Sequence, residues 1–312
     1  MPYVIAPSVS REECLASAEG RWKGILTARP DLEPAVVLQR RLITIVVELG
    51  DAINHGRLPR LSLPPRYVAA KLDRGIPALV AEPIPLPVQV LSRPLVRLCQ
   101  ELAAGGAADA ADHIRAAIES GNMEAGSLLS ASFARDQQAI RRGAVHRGLA
   151  PDLVWLVAEL AVSPFAHALQ RVVLSGDAAA AADSALAGAR DRWANGYCPA
   201  CGSWPALAEV VGGHRILRCA FCAAAWELNA YQCIYCGEGG EGFVTAAADE
   251  ERKDRRVEAC GGCAGYLKTV DMPALSPFPL LAIADLETMD LDAAAMEHGY
   301  SRPPLREFSS RR

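Results

Sequence analysis

Four Cys-x-x-Cys pairs lie in one stretch of the 312-residue chain and constrain its fold more than any other feature. A two-residue spacer lets both thiolates of a pair face one ion, while the intervening backbone N–H groups point at the sulfurs. Each pair is therefore half of a tetrahedral four-thiolate site, and four pairs are enough for two metal ions. The candidate ligands are Cys198, Cys201, Cys219, Cys222, Cys233, Cys236, Cys260 and Cys263.

The lengths between the pairs indicate which of them share an ion. Seventeen residues separate Cys201 from Cys219, and twenty-three separate Cys236 from Cys260. Either length is sufficient for a β-hairpin that brings two pairs together. Only ten residues separate Cys222 from Cys233. We therefore expect the first two pairs to form one site and the last two pairs to form the other.

The sequence leaves three roles open for these cysteines. A four-thiolate site most often holds a small fold together, and each cysteine segment is too short to build an adequate apolar core without one. Direct metal or redox chemistry is the second interpretation. Disulfide bonds are the third and least favoured interpretation, because the start of the chain lacks the basic region and following apolar run of an export signal. Without such an export signal we expect a reducing, cytoplasmic location.

The region before the cysteines is predicted to be an α-helical domain, residues 1–195. Ser10 followed by two glutamates after Arg11 is typical of a helix N-cap with an acidic first turn. Apolar residues recur at helical spacing from Val36 to Ile53. Further helices are predicted at about 65–74, 92–104, 108–120 and 122–144, and from Asp177 to Asn195. Another helix is predicted to begin after Asp152, and Pro164 is expected to end or restart it.

The rest of the chain is predicted to hold two small metal-binding β modules, residues 196–230 and 231–272. Residues 206–211 and 214–218 are predicted strands joined by a Gly-Gly turn, and residues 242–245, 257–260 and 266–268 repeat this plan. A C-terminal tail, residues 273–312, contains an amphipathic helix within 279–300. The predicted fold class is α+β and multi-domain.

Charge and hydropathy exclude two classes of partner. Residues 196–270 hold 7 Lys and Arg against 9 Asp and Glu, and two thiolate sites would add more negative charge. This argues against nucleic-acid binding, which depends on basic side chains that replace counterions at phosphates. The most apolar window, 153–169, is too short to span a bilayer and contains Glu159, Pro164 and His167. We therefore expect no membrane insertion.

The order of a helical domain, four cysteine pairs and an acidic C-terminal helix resembles the formate dehydrogenase accessory protein family, FdhE. The resemblance covers essentially the whole chain, although the helical part is similar in architecture more than in motif. The residues that carry it are Cys198-Pro199-Ala200-Cys201-Gly202-Ser203-Trp204-Pro205, Leu217-Arg218-Cys219, Cys222, Trp226, Cys233, Cys236, Glu258-Ala259-Cys260, Cys263, Tyr266-Leu267-Lys268 and Ala295-Met296-Glu297-His298-Gly299-Tyr300.

This resemblance implies a cytoplasmic, non-enzymatic maturation factor that binds the catalytic subunit of a respiratory formate dehydrogenase and is needed for its activation. It implies modules of the rubredoxin or zinc-ribbon type and favours iron, whereas the cysteine spacing alone suits iron and zinc equally. A homodimer is compatible with the sequence. The alternative is a rubredoxin-like thiol or electron-transfer catalyst that acts on a client protein. No nucleophile with a nearby base, paired acid or cofactor motif stands out.

If the eight cysteines are ligands, the loss of one should loosen its whole module. We expect Cys219→Ala to reduce both metal content and resistance to proteolysis, because a structural zinc site supplies on the order of 10 kcal/mol of folding free energy. Metal analysis and limited proteolysis test this. An unchanged metal content together with unchanged resistance would show that Cys219 is not a ligand.

Overall fold

The structure is a computed structural model that describes residues 3–56, 63–175, 184–228, 230–247, 252–306 and 308. The α-helices are α1 (Arg11–Ala28), α2 (Glu33–Asn54), α3 (Pro65–Leu72), α4 (Val88–Leu102), α5 (Ala108–Glu119), α6 (Ala125–Phe133), α7 (Gln137–His146), α8 (Pro151–Ser175), α9 (Ser184–Asp191), α10 (Leu281–Glu287) and α11 (Met289–Glu297). The strands are β1 (Tyr3–Val4), β2 (Pro205–Val211), β3 (His214–Cys219), β4 (Ala225–Glu227), β5 (Phe243–Ala247), β6 (Arg255–Cys260) and β7 (Tyr266–Asp271).

The chain forms two compact units. The helical unit comprises residues 9–62 and 81–169, and the sheet unit comprises residues 1–8, 63–80 and 170–312. The predicted fold class is confirmed: helices dominate the N-terminal region, the cysteine pairs lie in strand regions, and helices follow them. The division at residues 195, 230 and 272 stays a prediction. The compact units place residues 63–80 and 170–195 with the cysteine segments.

The helical unit begins with the predicted cap. The Ser10 side chain accepts a hydrogen bond from the Glu13 amide, and the Glu13 carboxylate accepts one from the Ser10 amide, which forms a capping box. The core of this unit consists of apolar side chains at helical spacing. They include Ile43, Val46 and Ile53 of α2, Leu91, Leu95 and Leu98 of α4, and Val157, Ala161 and Phe165 of α8.

Helix α8 differs from its prediction because it continues through Pro164. A proline inside a helix lacks the N–H group that would bond the carbonyl four residues earlier. Here that carbonyl belongs to Leu160, and the Ser163 hydroxyl donates to it at 3.4 Å.

Among the described helices α8 alone is long and apolar enough to cross a membrane, but 61% of the residues in its most apolar 18-residue window are buried inside the fold. Such burial is typical of a core helix.

One other helical prediction needs correction, and another lies partly outside the described residues. Residues 122–144 form α6 and α7 in place of one helix, because Arg135 adopts a left-handed backbone conformation with φ of 61°. Asp136 then starts α7, and its side chain accepts from the Ala139 amide. The predicted start of a helix at Asp177 lies outside the described residues, and only α9 of that stretch is described.

The sheet unit contains one seven-stranded sheet with the order β1-β4-β3-β2-β7-β6-β5. Each cysteine segment contributes three neighbouring antiparallel strands, and the second segment repeats the order of the first. The two halves join where β2 and β7 pair in parallel, with Ala208 opposite Thr269. The two cysteine segments, which were predicted as separate modules, therefore contribute three strands each to a single sheet.

A buried ion pair reinforces this junction. Arg215 of β3 donates to the Glu258 carboxylate of β6 at 2.7 Å, and the Thr269 hydroxyl donates to the same carboxylate at 3.0 Å. An unpaired charge in such a place would be costly, so this pair favours one relative register of the two halves. A second pair, Arg218 with Glu209, has no exposed side-chain surface on either partner and joins β3 to β2 within the first half.

The C-terminal tail forms two short helices where one amphipathic helix was predicted. Thr288 interrupts it with a non-helical backbone (φ −122°, ψ 21°), and its hydroxyl donates to the Ala284 carbonyl at 2.7 Å. The buried ammonium of Lys268 donates to the Asp285 carbonyl at 3.0 Å, at the carboxyl end of α10. A cation at this position satisfies terminal carbonyls and favours ending the helix there.

Lys268 also holds the helices on the sheet through two carboxylates. Its ammonium lies 2.6 Å from an oxygen of Asp285 and 2.6 Å from one of Asp292, and its side chain is completely buried. Burial works to raise the pKa of Asp285, but the Lys268 and Arg302 cations beside it bring that pKa below its usual value. The charged Asp285 therefore stabilises the fold at neutral pH, and this stabilisation is lost in acid as the carboxyl becomes protonated.

Replacing Lys268 with an uncharged side chain of similar length tests this anchor. We expect Lys268→Met to lower the free energy of unfolding by about 2 kcal/mol, because two partly exposed carboxylates lose their buried cation. The exposed Lys253 provides a matched control, since Lys253→Met removes a charge from the surface. Denaturant unfolding measures both variants, and equal free energies for the two would contradict the anchoring role.

Candidate metal centres

The structure brings the eight predicted ligands into two groups, with the pairing expected from the sequence. In site 1, the Sγ atoms of Cys198 and Cys222 are 3.6 Å apart and those of Cys201 and Cys219 are 3.5 Å apart. Site 2 joins Cys233 to Cys263 at 3.7 Å and Cys236 to Cys260 at 3.6 Å. Within each site all four sulfur atoms lie within 4.8 Å of one another.

These distances fit a tetrahedral metal ion. Four sulfurs at a metal–sulfur distance of about 2.3 Å are separated from one another by about 3.8 Å. A disulfide would place two sulfurs about 2.05 Å apart, and all ten cysteines of the chain are free. Soft thiolate ligands in this arrangement suit zinc or iron. Two four-cysteine groups can therefore each hold one ion.

All four Cys-x-x-Cys pairs form the same turn. In each turn the amide of the first cysteine donates to the carbonyl five residues later, at 2.8–2.9 Å. The residue directly after the second cysteine is always in the left-handed region, with φ between 54° and 83°; these residues are Gly202, Ala223, Gly237 and Ala264. Glycine adopts this conformation without steric cost, whereas alanine does not. The turn geometry is therefore imposed even where the residue does not favour it.

Backbone amides inside the turns point at the sulfurs. The Ala200 amide donates to Cys198 Sγ at 3.3 Å. The Phe221 and Cys222 amides both donate to Cys219 Sγ at 3.4 Å. Such bonds favour the thiolate form, which is the form that binds metal.

Site 1 is sealed from solvent. Its four cysteines are at most 5% exposed. A segment far away in sequence covers its first turn: the Ala78 amide donates to the Pro199 carbonyl and the Leu79 amide to the Ala200 carbonyl, both at 2.8 Å. Sequence reasoning missed this cover, and the apolar run after Gly75 was its only signal.

Burial shapes the protonation of site 1. It raises the pKa of the Cys198 and Cys222 thiols well above the ordinary value. These thiols are therefore protonated when no ion is bound, and ion binding must displace their protons. Burial also lowers the pKa of the neighbouring Arg218, while the Glu209 carboxylate beside it favours its charged form. Sequence reasoning missed the buried ion pair of Arg218 with Glu209, although Arg218 stands directly before the candidate ligand Cys219 in the sequence.

Site 2 is open on one side. Cys236 and Cys263 are exposed, whereas Cys233 and Cys260 are buried. Tyr235, between the first pair of ligands, donates its hydroxyl to the Tyr266 carbonyl at 3.0 Å. Its ring lies 5.0 Å from that of Trp204, which follows the first turn of site 1. The two sites thus share an aromatic contact but differ in their access to solvent.

Comparison with known proteins gives relatives of one family. The chain is 30% identical over 118 residues to the Protein FdhE homolog of Aquifex aeolicus, an alignment that covers 35% of this chain and 40% of that protein. It is 32% identical over 116 residues to Protein FdhE of Escherichia coli O127:H6, covering 36% and 37%. The chain thus aligns with about two fifths of the length of these curated relatives. No protein-family model matches it.

The likeness to a solved structure is broader. The crystal structure of the FdhE protein from Pseudomonas aeruginosa superposes with a TM-score of 0.58 at 21% identity, and the match covers 97% of each chain. This shows a shared fold along nearly the whole length. The curated relatives and this solved structure are all described as FdhE proteins or homologues, which is the family that the sequence resemblance indicated.

The difference in exposure predicts that the two sites release metal at different rates. We expect N-ethylmaleimide, added to metal-loaded protein with a chelator, to modify Cys236 and Cys263 about tenfold or more faster than the cysteines of site 1. The reason is that site 1 must first open locally, and an opening free energy of about 1.4 kcal/mol gives a factor of ten. Peptide mass spectrometry over time measures both sites in one sample. Equal rates would contradict the prediction.

Proposed function

We propose that this protein is an accessory factor of the FdhE type, which binds the catalytic subunit of a respiratory formate dehydrogenase in the cytoplasm and is needed for its activation. The observation that carries the proposal is the pair of four-cysteine clusters on a fold shared with an FdhE protein over 97% of the chain. We assign no catalytic residue. The helical unit supplies a surface for the client, and the sheet unit supplies the metal sites.

In this proposal all eight cysteines are metal ligands, four to each ion. Cys198, Cys201, Cys219 and Cys222 hold one ion, and Cys233, Cys236, Cys260 and Cys263 hold the other. Iron is favoured by the family resemblance, and zinc fits the same sulfur positions. When bound, either ion joins two turns that are distant in sequence, and this contributes directly to folding. Anaerobic metal analysis with a visible spectrum identifies the ions.

A host that respires formate and lacks its own copy of the gene tests the accessory role. We expect the tagged protein to copurify with the formate dehydrogenase catalytic subunit and to restore formate dehydrogenase activity. Cys236→Ser should reduce both, because it removes a ligand from site 2. Cys14→Ala is the matched control, since Cys14 is a buried cysteine outside both clusters. The accessory role is wrong if the wild-type protein retrieves no such subunit and if the host that lacks the gene keeps its formate dehydrogenase activity.

The exposure of Cys236 and Cys263 favours one second candidate, a rubredoxin-like thiol or electron-transfer catalyst that acts on the client. A redox-active iron site has a visible charge-transfer absorption that bleaches on reduction, whereas zinc has no redox chemistry. Protein loaded only with zinc distinguishes the two roles. Full restoration of client activity by the zinc form excludes iron redox chemistry, and loss of activity with copurification retained supports it.

A further inference from the structure

Residues 301–306 and Phe308, called here the 301–308 segment, run across the turns of both metal sites. At one end the Ser301 amide donates to the Ala264 carbonyl at 2.8 Å, directly after the last ligand of site 2. At the other end Phe308 lies against Gly202, directly after Cys201 of site 1, so closely that a Cβ atom there would be 2.3 Å from the ring. The segment therefore contacts one turn of each site.

Between these ends the segment crosses a groove of aromatic side chains, called here the aromatic groove and formed by Tyr197, Trp204 and Tyr235. Neighbouring rings meet edge to face, with centroids 6.1 Å apart for Tyr197 and Trp204 and 5.0 Å apart for Trp204 and Tyr235. The Trp204 indole N–H donates to the Pro304 carbonyl at 2.9 Å. An aromatic groove with an indole donor is a common way to bind an extended proline-containing peptide.

Arg306 and Phe308 add two contacts that depend on side chains. The guanidinium of Arg306 lies 4.8 Å from the centre of the Tyr197 ring, within the range of a cation–π interaction. The ring of Phe308 lies 5.3 Å from the same tyrosine. The groove thus accepts a proline carbonyl, a basic side chain and an aromatic ring in succession.

The 301–308 segment does not fill the groove. A cleft of about 160 Å³ remains beside it, lined by Gln232, Cys233 and Ile234 as well as by the groove residues and Arg306. A cavity of about 150 Å³ holds a ring the size of benzene. A four-thiolate site that holds a divalent ion carries a net negative charge, and site 2 adjoins the cleft at Cys233. This charge favours a basic ligand.

We propose that the aromatic groove is a binding site for an extended, proline-containing peptide with a basic side chain from a partner protein, and that the 301–308 segment is its intramolecular occupant. Arg302 stays anchored by ion pairs with Asp285 and Asp292, at 3.2 and 2.9 Å, so that exchange involves the residues after it. The inference does not depend on which protein carries the peptide. A negative result for formate dehydrogenase therefore leaves it intact.

The peptide Ser-Arg-Pro-Pro-Leu-Arg-Glu-Phe, which copies residues 301–308, is a suitable fluorescent probe for the full-length, metal-loaded protein. We expect Phe308→Ala to raise its affinity about tenfold, because the attached segment competes at high effective concentration. Adding Trp204→Phe to Phe308→Ala should lower the affinity about tenfold from that of Phe308→Ala alone, because the groove loses its N–H donor while the attached segment competes less. Arg141→Ala, at an exposed position in the helical unit, is the control and should bind like the wild type.

Opposite effects of the two variants separate exchange from simple packing. A segment that only stabilises the fold would give no gain in peptide affinity on Phe308→Ala, and that result overturns the proposal. Peptide binding to Phe308→Ala that is unaffected by an added Trp204→Phe overturns it as well, provided that circular dichroism and metal content show a folded variant. Hydrogen exchange gives an independent check: bound peptide should protect residues 232–237, and protection elsewhere alone contradicts the assigned site.

Discussion

Four thiolates close together repel one another, and the sheet unit is arranged around the places where they converge. The repulsion is acceptable only when a cation lies among the sulfurs and when backbone amides point at them. The identical turns meet the second requirement, and their left-handed residues include Ala223 and Ala264, where the conformation has a steric cost. Strands, C-terminal helices and the Ala78–Leu79 cover all attach to these turns. Ion binding and folding of this unit are therefore one process.

Local sequence patterns predicted much of the fold and of the candidate metal sites. The cysteine spacing indicated both groups of ligands, the Gly-Gly turn indicated the β2–β3 hairpin, and Ser10 indicated the start of α1. The features that the sequence did not predict depend on contacts between residues far apart in the chain. The cover from Ala78 and Leu79, the parallel pairing of β2 with β7 and the break at Thr288 arise from contacts more than fifteen residues apart. The prediction that the helix ends or restarts at Pro164 was wrong, because the hydroxyl of the neighbouring Ser163 compensates for the missing proline amide.

The two sites have the same ligands and the same turns, yet their environments suit different tasks. Site 1 lies under a cover, beside the buried Arg218–Glu209 pair, and has little contact with solvent. Site 2 exposes Cys236 and Cys263 next to an aromatic cleft. A sealed site favours permanence, whereas an open one permits exchange with molecules in solution.

Strand β1 has a consequence for the timing of synthesis. Tyr3 pairs with Trp226 and Val4 with Ala225, so the residues of β1 leave the ribosome more than 200 residues before their partners. Strand β1 therefore stays without its partner until β4 has been made, late in translation. Loop closure over such a distance is slow, and an unpaired strand invites pairing with other chains. Chaperone demand during biosynthesis should concentrate in this interval.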